Sequence, residues 1–192
     1  MSDIAEDDGR IRCNWAQGQS VLYRDYHDQE WGRVLRGQVA LFERMSLEAF
    51  QSGLSWLIIL RKRDNFRKAF DGFNIKKVAA YTDADVARLM ADEGIVRNRA
   101  KIHATISNAR AVLELDANLS DLLWSYAPPT RPRPKTLADV PAITPESQAM
   151  AKDLKKRGFR FVGPTTAYAL MQATGMVDDH LATCFVPPAA AA

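Results

Sequence analysis

The strongest constraint on the fold is the segment Leu154-Lys-Lys-Arg-Gly-Phe-Arg-Phe-Val-Gly-Pro-Thr-Thr-Ala-Tyr168, where two glycines bracket four residues and a proline follows at once. Gly158 stops the helix that Thr144 and Pro145 start, because glycine takes the left-handed backbone of a helix C-terminus without steric cost. Pro164 opens the next helix, since its fixed φ suits a first helical turn and its missing N–H is not needed there. A chain with this segment folds two helices back on each other across a tight turn. On glycine and proline placement alone, an ordinary helical hairpin is the simpler reading. Lys155, Lys156, Arg157 and Arg160 tilt it toward nucleic acid, because they place positive charge beside turn amides where a phosphate can sit.

The rest of the chain also reads as helix. Tyr23, Tyr26, His27 and Glu30 recur at helical spacing, with Ser20 placed to cap and Gly32 to stop. Gln38 to Ser52 predicts a second helix ended by Gly53, and about Leu54 to Phe70 a third that stops at Asp71-Gly72. Thr82-Asp-Ala-Asp85 is a capping-box pattern before Val86, Leu89 and Met90, and Gly94 breaks that helix. Arg99 to Leu115 is amphipathic on Ile102, Ile106, Ala109 and Val112/Leu113, and a short helical turn follows near Leu122 to Tyr126. The prolines of 127–135 exclude helix there, because they remove donors and restrict their neighbours. No period-two strand is present, so the fold class is all-α. Residues 11–186 form one compact unit or two lobes, with the two-helix segment at about 145–174. Residues 1–10 and 187–192 read as disordered tails.

The net charge of +3 hides an asymmetry. Asp3, Glu6, Asp7 and Asp8 stand in the first nine residues without a basic one, so the remainder is more basic than the total suggests. Its cations gather in Arg61-Lys62-Arg63 with Arg67-Lys68, in Arg131/Arg133/Lys135, and around the turn. Any one cluster is more often a solvated face; three together favour a polyanion. The longest apolar run, Leu54 to Leu60, is too short to cross a bilayer, and no basic-then-apolar leader opens the chain. The expected setting is the cytoplasm, with no membrane partner.

Each of the two cysteines lies near a histidine, Cys13 with His27 and Cys184 with His180. A His and a Cys four apart on a helix share a face and can bind one ion, although lone cysteines are more often inert packing. His103 has no cysteine nearby and reads as a surface or interface histidine. Trp15, Tyr23, Tyr26, Trp31 and Trp56 crowd the N-terminal third, where core packing is the default reading. Glu48 argues against that default. It falls on the apolar stripe Leu41, Met45, Glu48, Ser52, where an unpartnered carboxylate is costly, so a ligand is implied.

Cys13-Asn-Trp15, Tyr23 through Gly32, Leu47 through Trp56, Lys156 through Gly163 and Asp179-His180 through Cys184 resemble, in order, the 3-methyladenine DNA glycosylase I family over roughly residues 11–186. The resemblance implies a helix-hairpin-helix DNA glycosylase fold, acting on alkylated double-stranded DNA and releasing free 3-methyladenine. It implies Trp56 and Trp15 flanking an extruded base, Glu48 and Tyr26 hydrogen-bonding it, and Tyr23 and Trp31 completing the wall. Gly53-Leu54 matches the wedge that fills the gap left in the base stack. Gly158, Gly163 and Thr165 belong to the DNA-binding hairpin with its flanking cations. Cys13, His27, His180 and Cys184 match the ligands of a structural zinc, whose closed shell would leave no position for an activated water.

A base methylated at N3 is already a cationic leaving group, so extraction and orientation can suffice, with ionised Glu48 as the catalytic residue. Lyase-type relatives place a lysine just after the second hairpin glycine; Pro164-Thr165-Thr166 stands there instead, so a monofunctional hydrolase is expected. Asp178 matches the catalytic Asp of other helix-hairpin-helix glycosylases, but the family pattern often has Asn there, and turn capping or orientation of His180 is the favoured role for Asp178 or Asp179. A monomer is expected. The alternative is a non-catalytic, zinc-stabilised helical module that binds damaged DNA.

Overall fold

The computed structural model describes residues 7–188, and within them every regular element is helical. Residues 1–6 and 189–192 of the expected tails lie outside the described residues. The helices are α1 (Val21–Gln29), α2 (Gln38–Gln51), α3 (Trp56–Ala69), α4 (Ile75–Ala79), α5 (Asp83–Ala91), α6 (Arg99–Leu113), α7 (Leu119–Trp124), α8 (Pro145–Lys156) and α9 (Pro164–Ala173). No described helix is long and apolar enough to cross a membrane.

Caps set the boundaries. The Ser20 hydroxyl accepts from the Tyr23 amide at the head of α1. At α8, Thr144 and Ser147 exchange side-chain and backbone hydrogen bonds of 2.9 and 3.2 Å, with Pro145 in the first turn. The Thr82–Asp85 capping box starts α5. Asn74 caps α4, a five-residue helix that the sequence pattern did not reveal, and Asn118 caps α7, which starts at Leu119, three residues before the expected Leu122. The third helix begins at Trp56 rather than Leu54, because Ser55 and the turn before it hold Leu54 outside.

Helix α2 is the hub, packing on α3, α6, α7 and α9. Its buried face carries Leu41, Phe42, Met45 and Phe50 into a core with Phe66, Phe70 and Phe73, all at most 2% exposed. Phe66, Phe70 and Phe73 stack in series with ring centroids 6.2 and 5.4 Å apart. Truncating any one to alanine costs roughly 3–5 kcal/mol at such burial. That core holds the C-terminal half of α2 rigid, and Glu48 is on it.

Helices α8 and α9 pack against each other across the glycine-bounded turn. Gly158 has φ +87°, the left-handed conformation that a Cβ disfavours. Phe159 and Val162 tuck inward while Arg160 and Phe161 face out. Asn108 of α6, itself 1% exposed, brackets Arg160, donating to its carbonyl at 3.0 Å and accepting from its amide at 2.7 Å. Gly163 has an ordinary backbone, and a Cβ there would meet nothing within 4 Å. Its lack of a side chain leaves open space over the N-terminus of α9.

Candidate active site

Helix α1 presents Tyr23, Tyr26 and His27 on one face, and α2 presents Glu48 toward them. A cavity of ≈ 280 Å³ opens between them, walled by Trp15, Tyr23, Tyr26, Trp31 and Trp56 with Glu48 in its lining. It lies just below the roughly 300–1,000 Å³ of sites for drug-sized ligands, so it has room for a small ligand. The rings touch in series: Tyr23 to Trp15 at 5.2 Å, Trp15 to Tyr26 at 6.5 Å, and Tyr26 to Trp56 at 5.5 Å between centroids. Trp31 stands edge-on to Trp15 at 5.1 Å. All five aromatic residues singled out in the sequence meet at one place, beside Glu48.

Glu48 is 5% exposed. Burial pushes its carboxyl from 4.5 up to about 7, with the charge of Arg44 pulling the other way. Arg44 lies one helical turn before Glu48 on α2 and is itself buried. Its Nη1 donates to the Tyr26 hydroxyl at 2.8 Å, and its guanidinium lies over the Tyr26 and Trp56 rings. Burial raises the Tyr26 hydroxyl well above the ordinary tyrosine range, so it keeps its proton at neutral pH. With Arg44 occupying the tyrosine oxygen, that proton is available to a ligand. The Trp56 Nε1–H is buried with no partner among the described residues, a second donor on the cavity wall. Ser52, expected on the buried stripe, is instead exposed, because α2 ends at Gln51.

Between Glu48 and Trp56, Gly53 and Leu54 project outward, Leu54 36% exposed. The loop is braced: Leu54 and Gln51 exchange hydrogen bonds of 2.6 and 2.7 Å, and buried Lys101 donates to the Phe50 and Ser52 carbonyls at 2.9 and 2.6 Å. Sequence reasoning missed Arg44 and Lys101. The i,i+4 spacing of Arg44 and Glu48 on an apolar face was the available signal for the first; nothing local marks the second.

Cys13, His27 and Cys184 offer ligand atoms within 4.8 Å of one another, all buried, and this cluster can hold a metal ion. Both cysteines are free thiols. The hydrogen bond from the Cys13 thiol lowers Cys184 below the ordinary thiol range, with His27 adding to it, while Cys13 is raised by the same bond. His180 stands beside the group, its ring centroid 5.0 Å from that of His27, and its Nε2 is buried without a partner among the described residues. Nδ1 of each histidine meets a carboxylate, Asp28 at 2.8 Å and Asp178 at 2.9 Å. Those acids are paired in turn with Arg12 and Arg133. His180 to Cys184 is a looped segment, not the helix that the four-residue spacing suggested; the turn at 182–183 brings Cys184 round.

The basic clusters divide. Arg63 pairs with Glu30, Arg67 with Glu43, Arg131 with Asp179 and Arg133 with Asp178. These cations hold the fold together. Arg157 pairs with Asp153. Lys155, Lys156 and Arg160 around the turn are exposed, with no ion pair among the described residues, and Thr165 is exposed on the first turn of α9. Asp178 is bound to Arg133 and His180, and of the two adjacent acids it is Asp179 that lines the cavity, together with Glu48.

A profile of the methyladenine glycosylase family matches residues 15–187. The chain belongs to that family. DNA-3-methyladenine glycosylase 1 of Escherichia coli (strain K12) is 46% identical over 182 residues, covering 92% of this chain and 97% of the relative. Among solved structures, a crystal structure of 3-methyladenine DNA glycosylase I superposes with TM-score 0.89 at 45% identity, covering 93% of this chain and 100% of that one. A variant of 3-methyladenine DNA glycosylase I in complex with 3-methyladenine superposes with TM-score 0.86 at 34% identity, covering 92% and 97%. The all-helical glycosylase fold agrees with these relatives across nearly the whole chain.

Proposed function

We propose that this protein is a DNA glycosylase that hydrolyses the bond between 3-methyladenine and deoxyribose in alkylated duplex DNA. The observation that carries the reading is Glu48, a buried carboxylate in an aromatic cavity with no hydrogen-bond donor among the described residues. Such a group is costly unless a ligand supplies charge and donors. A base made cationic by methylation and bearing an amino group supplies both. The relatives named for this activity, and the one in complex with 3-methyladenine, support the same conclusion.

In this reading the damaged nucleotide leaves the stack and its base enters between the faces of Trp56 and Trp15, with Tyr23 and Trp31 closing the wall. Tyr26 donates its hydroxyl hydrogen bond to the base, and ionised Glu48 holds the cationic base and the sugar cation that develops as the bond breaks. The base leaves without prior protonation. Leu54, on the loop braced by Lys101, fills the vacated place in the stack with Gly53 beside it. The α8–α9 unit is the helix-hairpin-helix: its turn amides and the first turn of α9 with Thr165 face the phosphates, Gly163 leaves room for their approach, and Lys155, Lys156 and Arg160 add charge. Arg157 contributes less, its charge being shared with Asp153. With Thr165 where a Schiff-base lysine would stand, water completes the reaction and leaves an abasic site. The same reading has the protein act as a cytoplasmic monomer.

Cys13, His27, His180 and Cys184 fit a zinc ion. His180 Nε2 is a buried polar atom lacking a partner among the described residues, and both Nδ1 positions are held by acids, which turns Nε2 of each ring toward the ligand position. Bound there, zinc would supply a structural cross-link between the N-terminal and C-terminal segments. Arg12 and Arg133 hold the two acids in place.

The test is purified protein with methylated duplex DNA. Free 3-methyladenine should appear with an equal number of abasic sites and no excess of strand breaks. Glu48→Ala should slow release by about 10²–10⁴-fold. DNA binding without release by the wild type would leave a damage-binding module instead.

A further inference from the structure

The C-terminal wall of the cavity carries a polar constellation built around Asp179, which is 3% exposed. Its Oδ1 accepts from Arg131 Nη2 at 2.7 Å. Its Oδ2 accepts from the Tyr168 hydroxyl at 2.5 Å and from Gln172 Nε2 at 2.9 Å. Arg131 also donates to the Tyr168 oxygen at 2.7 Å, so the tyrosine's single proton is committed to Asp179. Gln172 lines the same cavity as Glu48.

A primary amide has a donor end and an acceptor end, whereas a carboxylate only accepts. Asp179 therefore decides which way Gln172 points: the NH₂ end must meet the carboxylate. Oε1 is left with no donor among the described residues, on a side chain that lines the cavity. Tyr168, Arg131 and the packing of α9 hold Asp179 in turn, so the amide cannot reverse without leaving a carboxylate oxygen facing a carbonyl.

We propose that Gln172 is a second reader of the bound base, its Oε1 accepting an N–H of the exocyclic amino group, and that Asp179 is the positioning residue that keeps Gln172 an acceptor. The proposal rests on the cavity being the base site. An amino group has two N–H bonds to give, and Glu48 and Gln172 offer an acceptor for each. A keto oxygen at the same ring position has none, and would face two acceptors at once. A site built this way rejects the keto analogue more strongly than shape alone allows, because its buried acceptors are left unpaired.

The experiment is titration of the intrinsic tryptophan fluorescence with free 3-methyladenine and with 3-methylhypoxanthine, which carries oxygen in place of the amino group. Wild type should prefer 3-methyladenine. Gln172→Met, similar in shape but without the carbonyl, should weaken 3-methyladenine about tenfold and bind 3-methylhypoxanthine no worse than wild type does. Asp179→Asn, which can present an NH₂ to Gln172 and so let its amide turn, should shrink the preference in the same sense. Structural damage would weaken both ligands alike, so the preference ratio is the deciding readout. A wild-type ratio in Gln172→Met overturns the proposal, and an unchanged ratio in Asp179→Asn removes the positioning role. Failure of the wild type to bind 3-methyladenine at all would instead overturn the base-site reading.

Discussion

Replacing Glu48 by Gln should stabilise the protein in a pH-dependent way. Burial raises the Glu48 carboxyl from 4.5 to about 7. Below pH 4.5 the group is protonated in both the folded and unfolded chains, and a neutral Glu differs little from Gln. Between these two values the unfolded chain releases the proton while the folded one keeps it, so stability falls as pH rises. Above pH 7 the loss is complete, at about 3 kcal/mol for a shift of this size. Glu48→Gln cannot titrate and escapes it. The variant should thus match wild type near pH 4 and exceed it by about 3 kcal/mol at pH 8, or by roughly 6–12 °C in Tm for a chain of this length. Urea unfolding of both proteins across that range measures the difference, in which every other titrating group cancels. A difference that stays flat from pH 4 to 8 would refute the burial of an unpaired carboxylate. The same substitution should abolish most base release, so one position trades stability for chemistry.

The metal cluster should hold one zinc after exhaustive dialysis, and Cys184→Ser should lose it; equal zinc content by atomic absorption in both would exclude Cys184 as a ligand. Lys155→Glu with Lys156→Glu should weaken binding to undamaged duplex and lower the slope of log K against log salt by about one for each phosphate no longer neutralised. An unchanged slope would remove these lysines from the DNA face. Lys101→Met should strip two carbonyls of their donor beneath the Leu54 loop, costing about 2–3 kcal/mol in urea unfolding, with a raised KM for methylated DNA as the loop loosens. Wild-type stability and KM would show the brace to be dispensable.

What the sequence disclosed follows from the range of the physics behind it. Capping and termination are local, so the starts of α5 and α8 at Thr82 and Thr144 and the stop at Gly158 were readable from a few adjacent residues. The short α4 and the early start of α7 rest on single Asn caps before weakly patterned residues, and they emerged only in the packed chain. Glu48 was legible because a charge on an apolar stripe is anomalous by itself. The cations were not. Arg63, Arg131 and Arg133 looked like parts of a polyanion surface, yet their partners Glu30, Asp179 and Asp178 lie tens of residues away, and no composition window records such pairing. For the same reason Gln172 and Asp179 went unnoticed as cavity residues: the feature that marks them is an amide whose direction is set by a buried acid, which exists only after α9 and the segment following it are folded together.

The position of the Cys13–His27–Cys184 cluster makes the aromatic cavity depend on chain closure. Trp31 lies edge-on to His180 at 4.7 Å, and Trp15 lies edge-on to His27 at 5.0 Å, so two walls of the cavity rest directly on these histidines. Gly32 makes this approach possible, since a Cβ there would stand 2.7 Å from His180 Cε1. The Leu181 amide donates to the Cys13 sulfur across 168 residues of sequence, and Asp179 reaches the cavity from the same segment. Aromatic faces from the N-terminal third and a polar wall from the C-terminal one therefore meet only when the two ends are joined. Loosening the Cys13–His27–Cys184 cluster would let Trp15 and Trp31 shift with their histidines and carry Asp179 away from Gln172, so the aromatic walls and the polar wall would come apart together even though Glu48, fixed on the phenylalanine core by α2, stays in place.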